Sequence, residues 1–165
     1  MCYNIYMNWD LISDIILFSS IAVLGVFAVM GFCQLVSRKS FFKVDKELLA
    51  FFIPLILMTI IYFLFSKVFI LNIRPNGSNE VSFPSSHVTT AATIFLCVAL
   101  VLPRYLKSRA ARIVFDLMML ALIIVLCFGR VLSNQHWLSD VLAALAFSLI
   151  FAFIYYLIIR RKKNV

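Results

Sequence analysis

The stretch LMMLALIIVLCFG-RVLSNQHWLSD-VLAALAFSLIFAFIYYLII, residues 117–159, decides the fold. Two long apolar runs flank a short polar bridge. Runs this continuous do not alternate as barrel strands do. In hydrocarbon every backbone N–H and C=O needs a partner within its own segment, so such runs are helices. A crossing takes about 20 apolar residues. Working outward, spans fall at roughly 11–36, 48–66, 87–103, 113–129 and 140–159, the third and fourth being short for a full crossing.

Composition agrees. Of the 165 residues 64% are hydrophobic and 17 are Phe, with a mean hydropathy of +1.06. A soluble domain is close to half apolar and has too little interior to hide this much. The reading is an all-α, polytopic transmembrane bundle of about five spans, one membrane-embedded unit over 1–165. No basic region precedes the first run, so it reads as a retained span and not a cleaved signal. Cys2, Cys33, Cys97 and Cys127 form no CxxC pair and read as small buried hydrophobes, neither a disulfide framework nor a zinc site.

The net charge is +8, which in a soluble protein would suggest nucleic acid. In this chain the placement of charge excludes that partner. Arg38, Lys39, Lys43 and Lys46 follow span one, and Arg104, Lys107, Arg109 and Arg112 follow span three. Arg160, Arg161, Lys162 and Lys163 follow span five. If the spans alternate, all lie on one side, and cytoplasmic loops carry the Lys/Arg excess. The C-terminus is therefore expected in the cytoplasm and the N-terminus outside, with Trp9, Tyr3 and Tyr6 at the outer interface.

The basic residues left over are Lys67, Arg74 and Arg130; they share the outer side with His87, His136 and Asp140. Lys67 and Arg74 are seven apart, so a helix would put both on one face, with Pro75 ending it. Lys67 alone also reads as a snorkelling interfacial cation. Pro84 precedes a helix that Ser85 or Ser86 can cap, and His87 lies in its first turn, where free N–H groups suit an anion. His136 and Asp140 are four apart and can hydrogen-bond on one helix face, leaving one ring nitrogen to attack or accept a proton. Each segment alone is also an ordinary capped turn. Together they bring three fixed cations, a helix N-terminus and two histidines to one face, the groups that phosphoryl transfer requires. The same cations would repel a metal ion, so neither a metal nor another cofactor is expected.

The sequences Lys67-x6-Arg74-Pro75, Pro84-Ser85-Ser86-His87 and Gly129-Arg130-x5-His136-x3-Asp140 resemble, in order, the motifs of the type 2 phosphatidic acid phosphatase (PAP2) superfamily. The resemblance implies that His136 is a nucleophile forming a phosphohistidine, that Asp140 orients it and that His87 protonates the leaving oxygen. It implies phosphate-binding roles for Lys67, Arg74, Ser85, Ser86 and Arg130. Two positions depart from the pattern: Ser86 stands where the family has Gly, and Gly129 where it has Ser. Membrane members usually have six spans, against five here.

A site at the outer interface fits a phosphate on a lipid whose tail stays in the bilayer. The expected function is therefore a lipid phosphate or pyrophosphate phosphatase of a bacterial inner membrane, facing the periplasm. Undecaprenyl pyrophosphate is slightly preferred over a lipid A phosphate, phosphatidylglycerol phosphate and phosphatidic acid. A phosphotransferase with the same site, and a small transporter using a His/Asp relay, are the competing readings.

Overall fold

A computed structural model describes residues 8–40 and 44–160. Among these, five helices are long and apolar enough to cross a membrane: α1 (Trp9–Arg38), α2 (Lys46–Val68), α3 (Ser86–Tyr105), α4 (Arg109–Leu132) and α5 (Leu138–Arg160). Each extends a few residues past the apolar run that announces it, and the starts of α1 and α4 carry side-chain caps. Asn8 Oδ1 accepts from Leu11 N at 3.1 Å, and Ser108 Oγ from Ala111 N at 3.3 Å. The α2 helix is irregular at Phe51 and ends in one wider π turn, Leu64–Val68.

The centre of the bundle is α3, which packs on α5, α1 and α4. Over its most apolar window 56% of α3 is buried, against at most 28% in the other spans. Its sequence explains this. Ala91, Ala92 and Cys97 are fully buried, and such small side chains let helices approach closely where no hydrophobic effect drives them together. Thr93 Oγ1 donates to Ser148 Oγ on α5 at 3.2 Å, and Ser148 Oγ lies 3.2 Å from the Thr89 carbonyl. Phe18, Phe32, Val114, Phe128 and Phe153 point outward, where lipid rather than water would meet them.

The cysteines divide. Cys97 is buried and Cys127 half-buried, but Cys33 is exposed on α1. The expectation of burial fails there because a lipid-facing surface is as apolar as the interior. Cys2, Tyr3, Tyr6, Lys43 and Arg161 to Lys163 lie outside the described residues.

At one end of the bundle the basic residues at the helix termini meet two acids, the buried Glu47 and the half-buried Asp45. Arg104 Nη2 lies 2.8 Å from Glu47 Oε1, and Lys46 Nζ donates to the Ile159 carbonyl at 3.0 Å. Asp45 accepts from Gln34 Nε2 at 2.8 Å and Arg38 Nη1 at 3.2 Å. The Tyr155 hydroxyl closes the set on the Glu47 carbonyl at 3.0 Å.

Candidate active site

The opposite end gathers the N-termini of α1, α3 and α5, the C-terminus of α4 and the segment joining α2 to α3. That segment is not helical beyond Val68. It folds back on itself through a bridge between Ile73 and Val81, with Ser82 N donating to the Asn72 carbonyl at 2.9 Å. Lys67 and Arg74 therefore do not share a helix face. The helix stops before Pro75 because a hairpin and the Trp137 indole, which donates to the Ile73 carbonyl at 2.8 Å, hold the chain extended. Arg74 arrives on the hairpin; Lys67 stays exposed at the end of α2 and, among the described residues, makes no hydrogen bond or ion pair. Phe83 fixes the return leg. Its ring packs edge-on against Phe65 of α2 at 5.1 Å and against Phe147 of α5 at 6.5 Å.

That anchoring places the Ser82 carbonyl 2.8 Å from His136 Nδ1. A carbonyl only accepts, so Nδ1 carries the proton and Nε2 keeps its lone pair. Asp140 Oδ2 lies 3.9 Å from Nδ1, too far for a hydrogen bond. The expected direct His136–Asp140 bond is thus replaced by a relay through Ser82, whose hydroxyl donates to Asp140. The Asp140 carboxylate, fully buried, also accepts from Asn72 Nδ2 at 2.6 Å and from Trp137 N at 3.1 Å. The last bond is the carboxylate half of a capping box, so Asp140 starts α5 and braces Ser82 at once.

The Arg130 carbonyl accepts from both Gln135 N, at 3.3 Å, and His136 N, at 3.1 Å, and Asn134 takes a left-handed turn with φ 55°. The loop therefore curls back onto the end of α4, putting His136 beside Arg130. Arg130 is 4% exposed and His136 3%. Arg130 Nη1 donates to Asp10 at 3.3 Å, Arg74 Nη1 pairs with Glu80 at 2.8 Å, and Gln135 links the two by accepting from Arg74 at 2.8 Å and donating to Asp10 at 3.1 Å. His87 Nε2 lies 3.0 Å from Asp14 Oδ1. Burial, with the charges of Arg130 and Arg74, pushes His136 down to about 4, against the opposing pull of the Ser82 carbonyl and Asp140.

Among the described residues, five buried polar atoms at this end have no hydrogen-bond partner: Ser78 Oγ out on the hairpin, and the group Arg74 Nε, Ser85 Oγ, Arg130 Nε and His136 Nε2. Ser85 occupies the N-cap position of α3, but its hydroxyl caps nothing. Buried orphans are costly and rare, and the group of four comprises three donors and one lone pair. They suit an anion whose central atom can be attacked by Nε2. Ser86 is the first residue of α3 and does not have positive φ, so it carries no backbone strain where the family has Gly. Gly129 has a packing reason: a Cβ there would stand 2.7 Å from Ser13 Oγ of α1.

Sequence reading brought out Arg74, Ser85, His87, Arg130, His136 and Asp140, which the structure gathers at this end. It assigned no role to Asn72, Ser82, Gln135, Asp10 or Asp14. For the two α1 acids a signal existed: they lie one turn apart, four residues, in an otherwise apolar run.

Fold and side chains together define a bundle of membrane-spanning helices with two arginines and two histidines gathered at one end. The family model for the PAP2 superfamily matches residues 17–164, and the chain belongs to that superfamily. Its fold is similar to the crystal structure described as the first transmembrane PAP2 type phosphatidylglycerolphosphate phosphatase from Bacillus subtilis. The TM-score is 0.69, with 19% identity, covering 98% of this chain and 82% of that one. Comparison with curated proteins gave no match.

Proposed function

We propose that this protein hydrolyses a phosphate monoester or pyrophosphate carried on a lipid, through a phosphohistidine on His136. The observation that carries the reading is His136 itself. Its Nδ1 is held on the Ser82 carbonyl, while its Nε2 is buried, unprotonated and without a partner beside equally unpartnered donors of Arg74, Arg130 and Ser85. The Nε2 lone pair forms the P–N bond as the P–O bond to the leaving group breaks, and His87 gives that oxygen its proton. Water then attacks phosphorus, His87 takes the water's proton, and the P–N bond breaks to release phosphate. The two arginines meet the charge on the equatorial oxygens, the work a metal ion would otherwise do. Lys67 would join them from its exposed position.

A lipid is favoured because the site sits at the ends of five apolar helices. Beside it a cavity of about 210 Å³ runs between α2 and α3, lined by Met58, Thr59 and Tyr62 on one side and Ser86, Thr89 and Thr90 on the other. Its mixed lining suits the neck between a phosphate and an apolar tail. Undecaprenyl pyrophosphate fits a small outward-facing chain, and phosphatidylglycerol phosphate is the second reading, favoured by the activity named for the structural neighbour. The Lys/Arg distribution supports an outward site, to be tested by labelling Cys2 with an impermeant thiol reagent.

The decisive experiment assays purified protein in detergent on a lipid-phosphate panel with EDTA present. Phosphate release that His136→Ala lowers by at least about a thousandfold is expected. Full activity in His136→Ala would sink the reading. Phosphorylated lipid acceptor without free phosphate would identify a transferase instead.

A further inference from the structure

The α1 helix turns two acids into the site, and the chemistry above uses neither. Both lie before residue 17, where the family match begins. Asp10 is committed to Arg130 and Gln135. Asp14 is different: its Oδ1 meets the ring of His87, 3.0 Å from Nε2. A carboxylate only accepts, so Nε2–H donates to it and Nδ1 remains for the substrate. The backbone of His87 is fixed in the first turn of α3, but its ring direction is set from α1.

We propose that Asp14 is the positioning residue for leaving-group protonation: it aims His87 Nδ1 at the reacting phosphate and supports the imidazolium until the proton is passed. The proposal rests on the phosphatase reading above. The other charged groups acting on this ring are Arg130 of α4 and Arg74 of the hairpin, both cations. Asp140 of α5 is committed to Ser82 and Asn72, and Lys67 of α2 makes no ion pair. Asp14 is therefore the carboxylate available to offset the two arginines at His87. When the P–O bond breaks, the Nδ1 proton passes to the leaving oxygen and leaves a neutral ring whose Nε2–H stays on Asp14. In the second half Nδ1 takes a proton from the attacking water, and the imidazolium is restored.

The side chain of Asp14 is 48% exposed and that of His87 22%, so water tempers the effect and substitution leaves the core intact. The test compares two phosphate esters with similar tails, an alkyl ester with a poor leaving group and a nitrophenyl ester with a good one, over a range of pH. Asp14→Asn should lower kcat on the alkyl ester by about tenfold or more, a share of what a general acid supplies, and on the nitrophenyl ester by less than about twofold. The alkaline limb of the alkyl profile should move about one unit to lower pH, and Asp14→Glu should recover part of both losses. Equal slowing on the two esters, or an unmoved limb, overturns the proposal and leaves the phosphatase reading standing. No phosphate from either ester with the unaltered chain overturns that reading, and this proposal with it.

Discussion

At one end of the bundle Arg104 meets Glu47 at 2.8 Å, Lys46 reaches the Ile159 carbonyl, and Asp45 collects Gln34 and Arg38. At the other end Arg74 and Arg130 are each gripped through Nη1 by a carboxylate, yet each keeps a buried Nε with nothing to donate to. The residue types are the same, but the setting is not: the Arg104 side chain is 54% exposed and that of Arg130 5%. At the first end charge is spent on joining helices. At the second, part of every cationic fork is withheld from the protein and aimed beside a histidine lone pair. Buried donors left open cost roughly 1–3 kcal/mol each. At the first end the one unpartnered buried side-chain atom among the described residues is an acceptor, Glu47 Oε1, which Arg104 still meets as an ion pair. The open donors at the second are what the proposed phosphate site would account for.

The comparison breaks most visibly by substituting one arginine from each end. Arg130→Ala should lower kcat/KM by about a hundred- to a thousandfold, the cost of losing a preorganised donor to transition-state charge. Its thermal midpoint in detergent should change little. Arg104→Ala should do the reverse. It leaves Glu47, with a side chain 2% exposed, without its nearest cation, and should lose roughly 1–3 kcal/mol while kcat/KM holds. The midpoint should fall by several degrees. If Arg104→Ala cut activity as deeply as Arg130→Ala, the division of labour between the ends would be wrong.

A smaller effect sharpens the same contrast through pH. On the proposed mechanism His136 attacks as the neutral ring, so protonating Nε2 should remove activity. Because burial beside Arg130 and Arg74 pushes His136 down to about 4, the ring stays neutral until the medium is that acidic. The acid limb of kcat/KM should therefore lie near pH 4, about two and a half units below where an ordinary histidine would put it. Arg74→Gln removes one of the two cations and should move that limb upward. A limb near 6.5 in the unaltered chain would mean that His136 is solvated, not buried.

Much of this was legible in the chain. Hydropathy alone placed all five spans, because lipid demands long unbroken apolar helices, and charge sorting isolated Arg74 and Arg130. What sequence could not supply were contacts set by tertiary approach. Nothing local says that the Ser82 carbonyl, fifty-four positions away, would take His136 Nδ1 in place of Asp140, four away. Nothing in the local sequence singles out Gln135; only the fold brings Arg74 and Asp10 to either side of it. The helical reading of Lys67 to Arg74 failed because local spacing cannot see the Trp137 indole pulling that segment into a hairpin.

The smallest effect is expected where α1 delivers its acids. Gly129 lies against Ser13, next to Asp14 and three residues after Asp10, and Ser13 Oγ donates to the Trp9 carbonyl at 2.8 Å. A methyl at 129 would stand 2.7 Å from that hydroxyl, with the Trp9 carbonyl and ring at 3.5 and 3.6 Å. The hydroxyl must rotate, losing its bond inside a fully buried contact, or α1 must back away and carry Asp10 and Asp14 with it. Gly129→Ala should therefore cost about 1 kcal/mol and slow turnover only a few-fold. Ser13→Ala alone should cost less. In the double variant the clashing atom is gone, so most of the Gly129→Ala loss should return, a coupling of about 0.5–1 kcal/mol. Strictly additive losses would place the obstruction at Trp9 instead, and would mean that α1 holds its acids in the site through the indole and backbone of residue 9 rather than through the Ser13–Gly129 contact.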